Sequence, residues 1–379
     1  MEPGRRTRIL IVDDSAVMRS LLRSVVCADA SLEMAGTAAD GESALSAIET
    51  LHPDLILLDV EMPVLDGLIT LRELRARGNK MPVIMCSSLT QRGAMVTIEA
   101  LACGASDYVT KPAGQASRED ATRTLAQELV PRIHALTGRL PTQPVLQGAA
   151  RMPLSLPVAM PHKPQIVSSV PVVLAIGVST GGPAALDVLL PALPGNFPLP
   201  VLIVQHMPEL FTKLFAERLD RYCGLRVREA AEGDQVCAGT IYIARGNWHM
   251  EVLCAARSSQ PGQPPTLHLH QGPLENHCRP AVDALFRSAA AAYGSGVLAA
   301  VLTGMGSDGL IGCRAIRDHG GTVLAQDEAS STVWGMPGVV VNAGLAHIVL
   351  PLNAIVPEIL RIATRTYRNE ARELLKSAV

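Results

Sequence analysis

A chain of 379 residues is too long for one ordinary core and suits two domains of roughly 100–200 residues each. With 48% hydrophobic and 18% charged residues, it has the composition of a packed globular protein and not of a disordered one. A formal net charge of −2 excludes general attraction to nucleic acid or anionic lipid, and no apolar run is long enough for membrane insertion.

Arg5, Arg6 and Arg8 lead directly into a short strand-like run, so no signal peptide is expected there and a cytoplasmic location is. Eight scattered cysteines, without a Cys-x-x-Cys pair or a zinc spacing, agree with reduced thiols. The first ~110 residues alternate strand and helix signals, as a parallel sheet covered on both faces requires. Strands are expected at Arg8–Val12, Leu55–Val60, Pro82–Cys86 and Tyr108–Thr110. Helices are expected at Ala16–Val26, Gly41–Thr50, Gly67–Arg77 and Gly93–Cys103. A further helix starts at Ser117, where Ser117 and Asp120 form a variant capping box, and runs toward Leu136, with Pro131 expected to bend or shorten it.

Asp13 and Asp14 end the first strand and Asp59 lies near the end of the third, where ligands gather in open α/β sheets. Carboxylates brought together there repel one another unless a cation sits between them, and hard oxygen ligands suit Mg²⁺. Ser87 ends the fourth strand and Lys111 precedes Pro112, so a hydroxyl and an ammonium could meet phosphoryl oxygens at the same corner. Taken singly, the aspartates could equally be strand-end caps.

This set, Asp13-Asp14, Asp59, Ser87 and Lys111-Pro112, resembles the receiver domain of two-component response regulators. The resemblance implies that Asp59 accepts a phosphoryl group from a CheA-type histidine kinase, with Asp13, Asp14 and Asp59 holding Mg²⁺. It also implies that Ser87 and Lys111 contact the phosphoryl oxygens and that Tyr108 is the aromatic switch. Ser87 stands where many receivers have Thr.

Prolines at 141, 144, 153, 157, 161 and 164 mark 139–170 as a semi-rigid linker between a first domain, 1–138, and a second, 171–379. Beyond it the alternation resumes, with strands expected at Val172–Ile176, Val201–Gln205, Val297–Leu302 and Thr322–Leu324. An antiparallel hairpin or two should join the sheet between Leu225 and His270. The fold class is α/β throughout: a flavodoxin-like first domain and a second doubly wound, mainly parallel domain.

Gly177-Val178-Ser179-Thr180-Gly181-Gly182-Pro183 is a Gly-x-Ser-x-Gly turn between a strand and a helix. Such a turn presents the Ser179 hydroxyl beside helix N-terminal amides, which favour developing negative charge. A serine nucleophile needs a base, and His206 and Asp308 each follow an apolar strand as Ser179 does. Each piece has a plainer reading: a phosphate-binding turn, a structural histidine, a helix-capping aspartate.

Together the segments resemble the catalytic domain of the CheB family of chemotaxis protein-glutamate methylesterases and glutamine deamidases, over about Val172–Ala363. The resemblance implies nucleophile Ser179, general base His206 and orienting acid Asp308. It adds the Met305 amide in the oxyanion hole and Thr180 lining the pocket. Glu275–Ala290 resembles a family segment near the active face, with His277 and Arg279 worth watching and Cys278 expected to stay clear of the triad. Methyl-accepting chemoreceptors are then the substrate, and ester hydrolysis needs no metal. A hydrolase of small esters and a non-catalytic nucleotide-binding regulator remain rivals. A DNA-binding regulator is disfavoured, since no basic recognition helix is present.

Overall fold

The computed structural model describes residues 5–112, 117–138, 170–253 and 264–363. Its first part is a five-stranded parallel sheet formed by β1 (Thr7–Val12), β2 (Leu32–Ala38), β3 (Leu55–Asp59), β4 (Val83–Ser87) and β5 (Asp107–Thr110), in the order β2-β1-β3-β4-β5. Five helices cover it: α1 (Ala16–Ala28), α2 (Gly41–Leu51), α3 (Gly67–Ala76), α4 (Gln91–Ala102) and α5 (Arg118–Leu136). β3 and β4 are buried at every position, which is why both read as unbroken apolar runs. The edge strand β2, LEMAGTA, is mostly half-exposed and carries no clear apolar pattern, so the sequence reading missed it.

Side-chain caps start each of these helices. Ser15, Asp40, Asp66, Thr90 and Ser117 accept a hydrogen bond from the backbone amide three residues on. Ser117 Oγ also donates to the Asp120 carboxylate at 2.8 Å, side chain to side chain. α5 continues through Pro131 to Leu136, the end expected from the sequence, so the proline does not shorten it. Buried Leu125, Leu129 and Ile133 pack it against the sheet and α1, which offsets the missing backbone bond.

The second part has a seven-stranded sheet in the order β14-β13-β12-β6-β7-β9-β8. Its strands are β6 (Val173–Val178), β7 (Val201–Gln205), β8 (Arg226–Glu229), β9 (Thr240–Ile243), β12 (Val297–Val301), β13 (Thr322–Gln326) and β14 (Ile348–Leu350). Between β9 and β12, β10 (His249–Leu253) and β11 (Thr266–His270) pair antiparallel as a sheet of their own. The expected hairpin is therefore present but not attached to the large sheet. β8 and β9 pair parallel, because the chain crosses between them instead of turning back. The helices are α6 (Gly182–Leu189), α7 (Glu209–Asp220), α8 (Val282–Tyr293), α9 (Leu310–Asp318) and α10 (Met336–Asn342), with a terminal helix at 352–363.

The two parts meet through α4, which packs on α6 and α7. One apolar cluster runs from Ala94, Ile98 and Leu101 of the first part into Leu186, Phe211 and Leu214 of the second. The linker expected over 139–170 lies outside the described residues except for Val170.

Candidate active site

At the carboxyl ends of β1 and β3, Asp13 and Asp59 are buried and Asp14 is exposed. One carboxylate oxygen from each lies within 4.8 Å of the others. Lys111 bridges the two buried ones, with Nζ 2.8 Å from Asp13 Oδ2 and 2.7 Å from Asp59 Oδ1. Asp13 Oδ2 is buried, and its ion pair with Lys111 is its one polar contact among the described residues. Burial pushes the Asp59 carboxyl up to about 6; Lys111 opposes that shift and the Asp13 charge adds to it. Lys111 loses by burial but gains more from Asp13 and Asp59, and its pKa is raised. An all-oxygen donor set with an under-satisfied buried carboxylate fits a hard divalent cation such as Mg²⁺.

Ser87 is buried at the end of β4, and Lys111 N donates to its carbonyl at 2.7 Å. Tyr108 is buried one strand away, its ring stacked on Phe211 of α7 with centroids 4.7 Å apart and planes 13° apart. The expected switch residue thus lies in the contact between the two parts. Its neighbour Asp107 accepts a hydrogen bond from the Thr180 hydroxyl at 2.8 Å. Thr180, expected to line the pocket, is buried, and its hydroxyl faces the first part.

In the second part β6 is central, flanked by β12 and β7. That order explains how residues 102 positions apart meet: Ser179, His206 and Asp308 each leave the same end of adjacent strands. Ser179 N donates to Thr303 O at 3.0 Å, and His206 N donates to Val178 O at 3.3 Å. Gly181 caps α6 in the left-handed region, φ 77°, and a Cβ there would stand 2.4 Å from Thr332 Oγ1. Gly304 lies equally close, since a Cβ on it would be 2.8 Å from Ser179 Cβ. The next residue, Met305, has an amide with no backbone hydrogen bond among the described residues.

His206 Nε2 is 2.8 Å from Asp308 Oδ2. Asp308 is buried and held from every side: Val282 N at 2.7 Å on Oδ2, and Asn276 Nδ2, Asp283 N and Gly309 N at 3.0, 3.0 and 2.9 Å on Oδ1. Val282 and Asp283 are the first residues of α8, so a helix N-terminus stabilises the carboxylate. Burial alone would raise its pKa, but His206 and those amides outweigh it and the carboxyl is lowered. Burial disfavours protonated His206, yet its bonds to Asp308 and Cys278 and the Asp308 charge prevail, and its pKa is raised. Among the described residues Ser179 Oγ makes no hydrogen bond, and the two ring nitrogens of His206 meet Asp308 and Cys278.

Two features escaped sequence reasoning. Asn276, in the left-handed region at φ 50°, bridges Asp308 and buried Asp283 through one amide nitrogen. Its signal was the position within the Glu275–Ala290 segment, but nothing local tells that it faces Asp308. Cys278, expected to stay clear of the triad, places Sγ 3.7 Å from His206 Nδ1. That expectation is corrected, because the left-handed residues Asn276 and His277 fold this loop back over the histidine. His277 itself is exposed, and Arg279 bonds Asn247 Oδ1 and the Gly272 carbonyl, bracing loops beside the site.

The family model for the CheB methylesterase matches residues 174–359, and that for the response regulator receiver domain matches residues 9–122. A protein-glutamate methylesterase/protein-glutamine glutaminase of Nocardioides sp. is 48% identical over 359 residues, covering 94% of this chain and 96% of the relative. A protein of the same name from Trichodesmium erythraeum is 46% identical over 354 residues, covering 93% and 98%. Among solved structures, the Thermotoga maritima CheB methylesterase catalytic domain is 41% identical, covers 51% of this chain and 100% of its own, and has a TM-score of 0.48. No helix among the described residues is long and apolar enough to cross a membrane.

Proposed function

The chain belongs to the CheB methylesterase family, joined to a response regulator receiver, and from that premise we propose that Ser179, His206 and Asp308 are its catalytic triad. It is a protein-glutamate methylesterase and protein-glutamine glutaminase. The observation that carries the triad is the His206–Asp308 pair at 2.8 Å, on the strand neighbours of the Ser179 turn.

In this reading the chain divides into a receiver at 1–138, a linker at 139–170 and a catalytic domain at 171–379. Ser179 Oγ attacks the side-chain carbonyl of a methylated glutamate on a chemoreceptor helix. Asp308 occupies Nε2 of His206, so Nδ1 takes the serine proton and returns it to departing methanol. Water, deprotonated by the same nitrogen, then releases glutamate and restores the serine. A glutamine side chain loses ammonia along the same path. The Met305 amide and the N-terminus of α6 receive the negative charge that develops on the carbonyl oxygen.

The receiver governs this activity from the cytoplasm, taking a phosphoryl group on Asp59 from a histidine kinase. Asp13, Asp14 and Asp59 would hold Mg²⁺, which supplies charge neutralisation around the phosphoryl oxygens when bound. Ser87 and Lys111 are placed to hold those oxygens, and Tyr108 links the event to Phe211.

The test is methanol release from methylated receptor membranes. Ser179→Ala should lose turnover by a factor on the order of 10⁴ or more, while circular dichroism and Asp59 phosphorylation stay as in the parent. Activity within about tenfold of the parent would remove Ser179 from the mechanism.

A further inference from the structure

His206, Cys278 and Asp308 each offer a ligand atom within 4.8 Å of the others, in a site with no assigned metal. Asp308 is fully engaged by His206 and by one side-chain and three backbone donors, so it is not itself free to bind an ion. What remains is a nitrogen and a sulfur: His206 Nδ1 and Cys278 Sγ, 3.7 Å apart. In a tetrahedral zinc centre, with Zn–S about 2.3 Å and Zn–N about 2.0–2.1 Å, the sulfur–nitrogen edge is about 3.6 Å. The spacing, that of a thiol–imidazole hydrogen bond here, also matches two ligands on one soft cation. The same Asp308 carboxylate that orients the histidine for catalysis orients it for a metal, since ligating histidines commonly donate their second N–H to a carboxylate. Cys278 is half-buried, and the His206 side chain is 13% exposed.

We propose that His206 Nδ1 and Cys278 Sγ form a binding site for a soft divalent cation such as Zn²⁺, and that the bound cation shuts off the esterase. The inhibition rests on the reading of Nδ1 as the proton acceptor for Ser179; a metal on that nitrogen consumes the lone pair the reaction needs. Two protein ligands completed by water give a reversible, chelator-sensitive site and not a structural one. Mg²⁺, which prefers oxygen, should not compete for it.

The experiment uses the full-length chain in two arms. Methanol release is titrated with Zn²⁺ at fixed Mg²⁺, each variant normalised to its own metal-free rate. Co²⁺ is added separately as a spectroscopic probe, its thiolate charge-transfer band reporting sulfur coordination independently of turnover. Zn²⁺ should inhibit the parent, EDTA should restore the rate, and Cys278→Ala should need about tenfold more Zn²⁺ or beyond. Outer-shell changes alone already cost about that much affinity. The Co²⁺ band should appear in the parent and be lost in Cys278→Ala, which also separates this site from the exposed Cys27 and Cys237. A band unchanged in Cys278→Ala, or none in the parent, overturns the metal site. A Cys278-dependent band with undiminished turnover leaves the metal site standing and overturns His206 as the base.

Discussion

At the scale of single residues, the chemistry turns on how Asp308 is held. A carboxylate with five donors cannot rotate or protonate easily, so it fixes both the ring plane and the tautomer of His206. The consequence for pH follows from sign. Asp308 and Cys278 stabilise the imidazolium, so the neutral base appears only as pH rises through a raised pKa. The acid limb of kcat/KM should accordingly lie above the ordinary histidine value of about 6.5. Asp308→Ala should lower kcat, though less than loss of Ser179 does, and move that limb to lower pH. A limb that stays put in Asp308→Ala would mean that another group is titrating.

At the scale of elements, the strand ends of β1 and β3 bring two buried carboxylates together around Lys111. Asp59, raised to about 6 chiefly by burial, is substantially protonated below that pH and ionised above it. Because its folded pKa is raised, ionising Asp59 costs stability as pH climbs through 6, and a bound divalent cation returns that cost. Mg²⁺ should therefore raise Tm more at about pH 7.5 than at about pH 5. A Tm shift independent of pH would detach Asp59 from the ion. The packing of α4 on α6 and α7 adds a second element-scale device, the Tyr108–Phe211 stack. An aromatic pair contributes about 0.5–1.5 kcal/mol beyond its buried area, or roughly twofold to tenfold in a docking equilibrium. Phe211→Leu keeps apolar volume and removes the stack. It should raise the unphosphorylated rate of methanol release by up to about that factor and leave the phosphorylated rate nearly unchanged. An unaltered resting rate would show that the stack does not hold the resting state.

At the scale of the whole molecule, the receiver touches the residue beside Ser179: Thr180 Oγ1 donates to Asp107 Oδ2 at 2.8 Å. Docked there, the receiver stands beside the strand ends that the proposed substrate, a receptor helix, would approach. A catalytic fragment 171–379 should therefore release methanol faster than the unphosphorylated full chain. A phosphoryl donor with Mg²⁺ should accelerate the full chain, not the fragment, and not an Asp59→Ala full chain. A folded fragment slower than the resting chain would make the receiver an activator. The fragment also uncovers Phe211 and Leu214, which belong to the apolar cluster shared with α4, so its solubility should be lower.

The amino-acid sequence by itself determined the layer architecture, the strand ends that carry Asp13, Asp59, Ser179, His206 and Asp308, and the Gly-x-Ser-x-Gly turn. These are written in local signals: apolar runs as long as a strand, capping residues, and glycines where the chain must turn tightly. Adjacent parallel strands then bring their ends together without further instruction. Only the tertiary structure decided that Nε2 of His206 faces Asp308, that Asn276 bridges two buried carboxylates, and that Cys278 Sγ meets Nδ1. It alone turned the Thr180 hydroxyl toward Asp107 and laid Tyr108 on Phe211. Each of these contacts joins residues far apart in the chain or folded together by an irregular loop. Such contacts depend on packing and loop geometry, which leave no periodic mark on either partner.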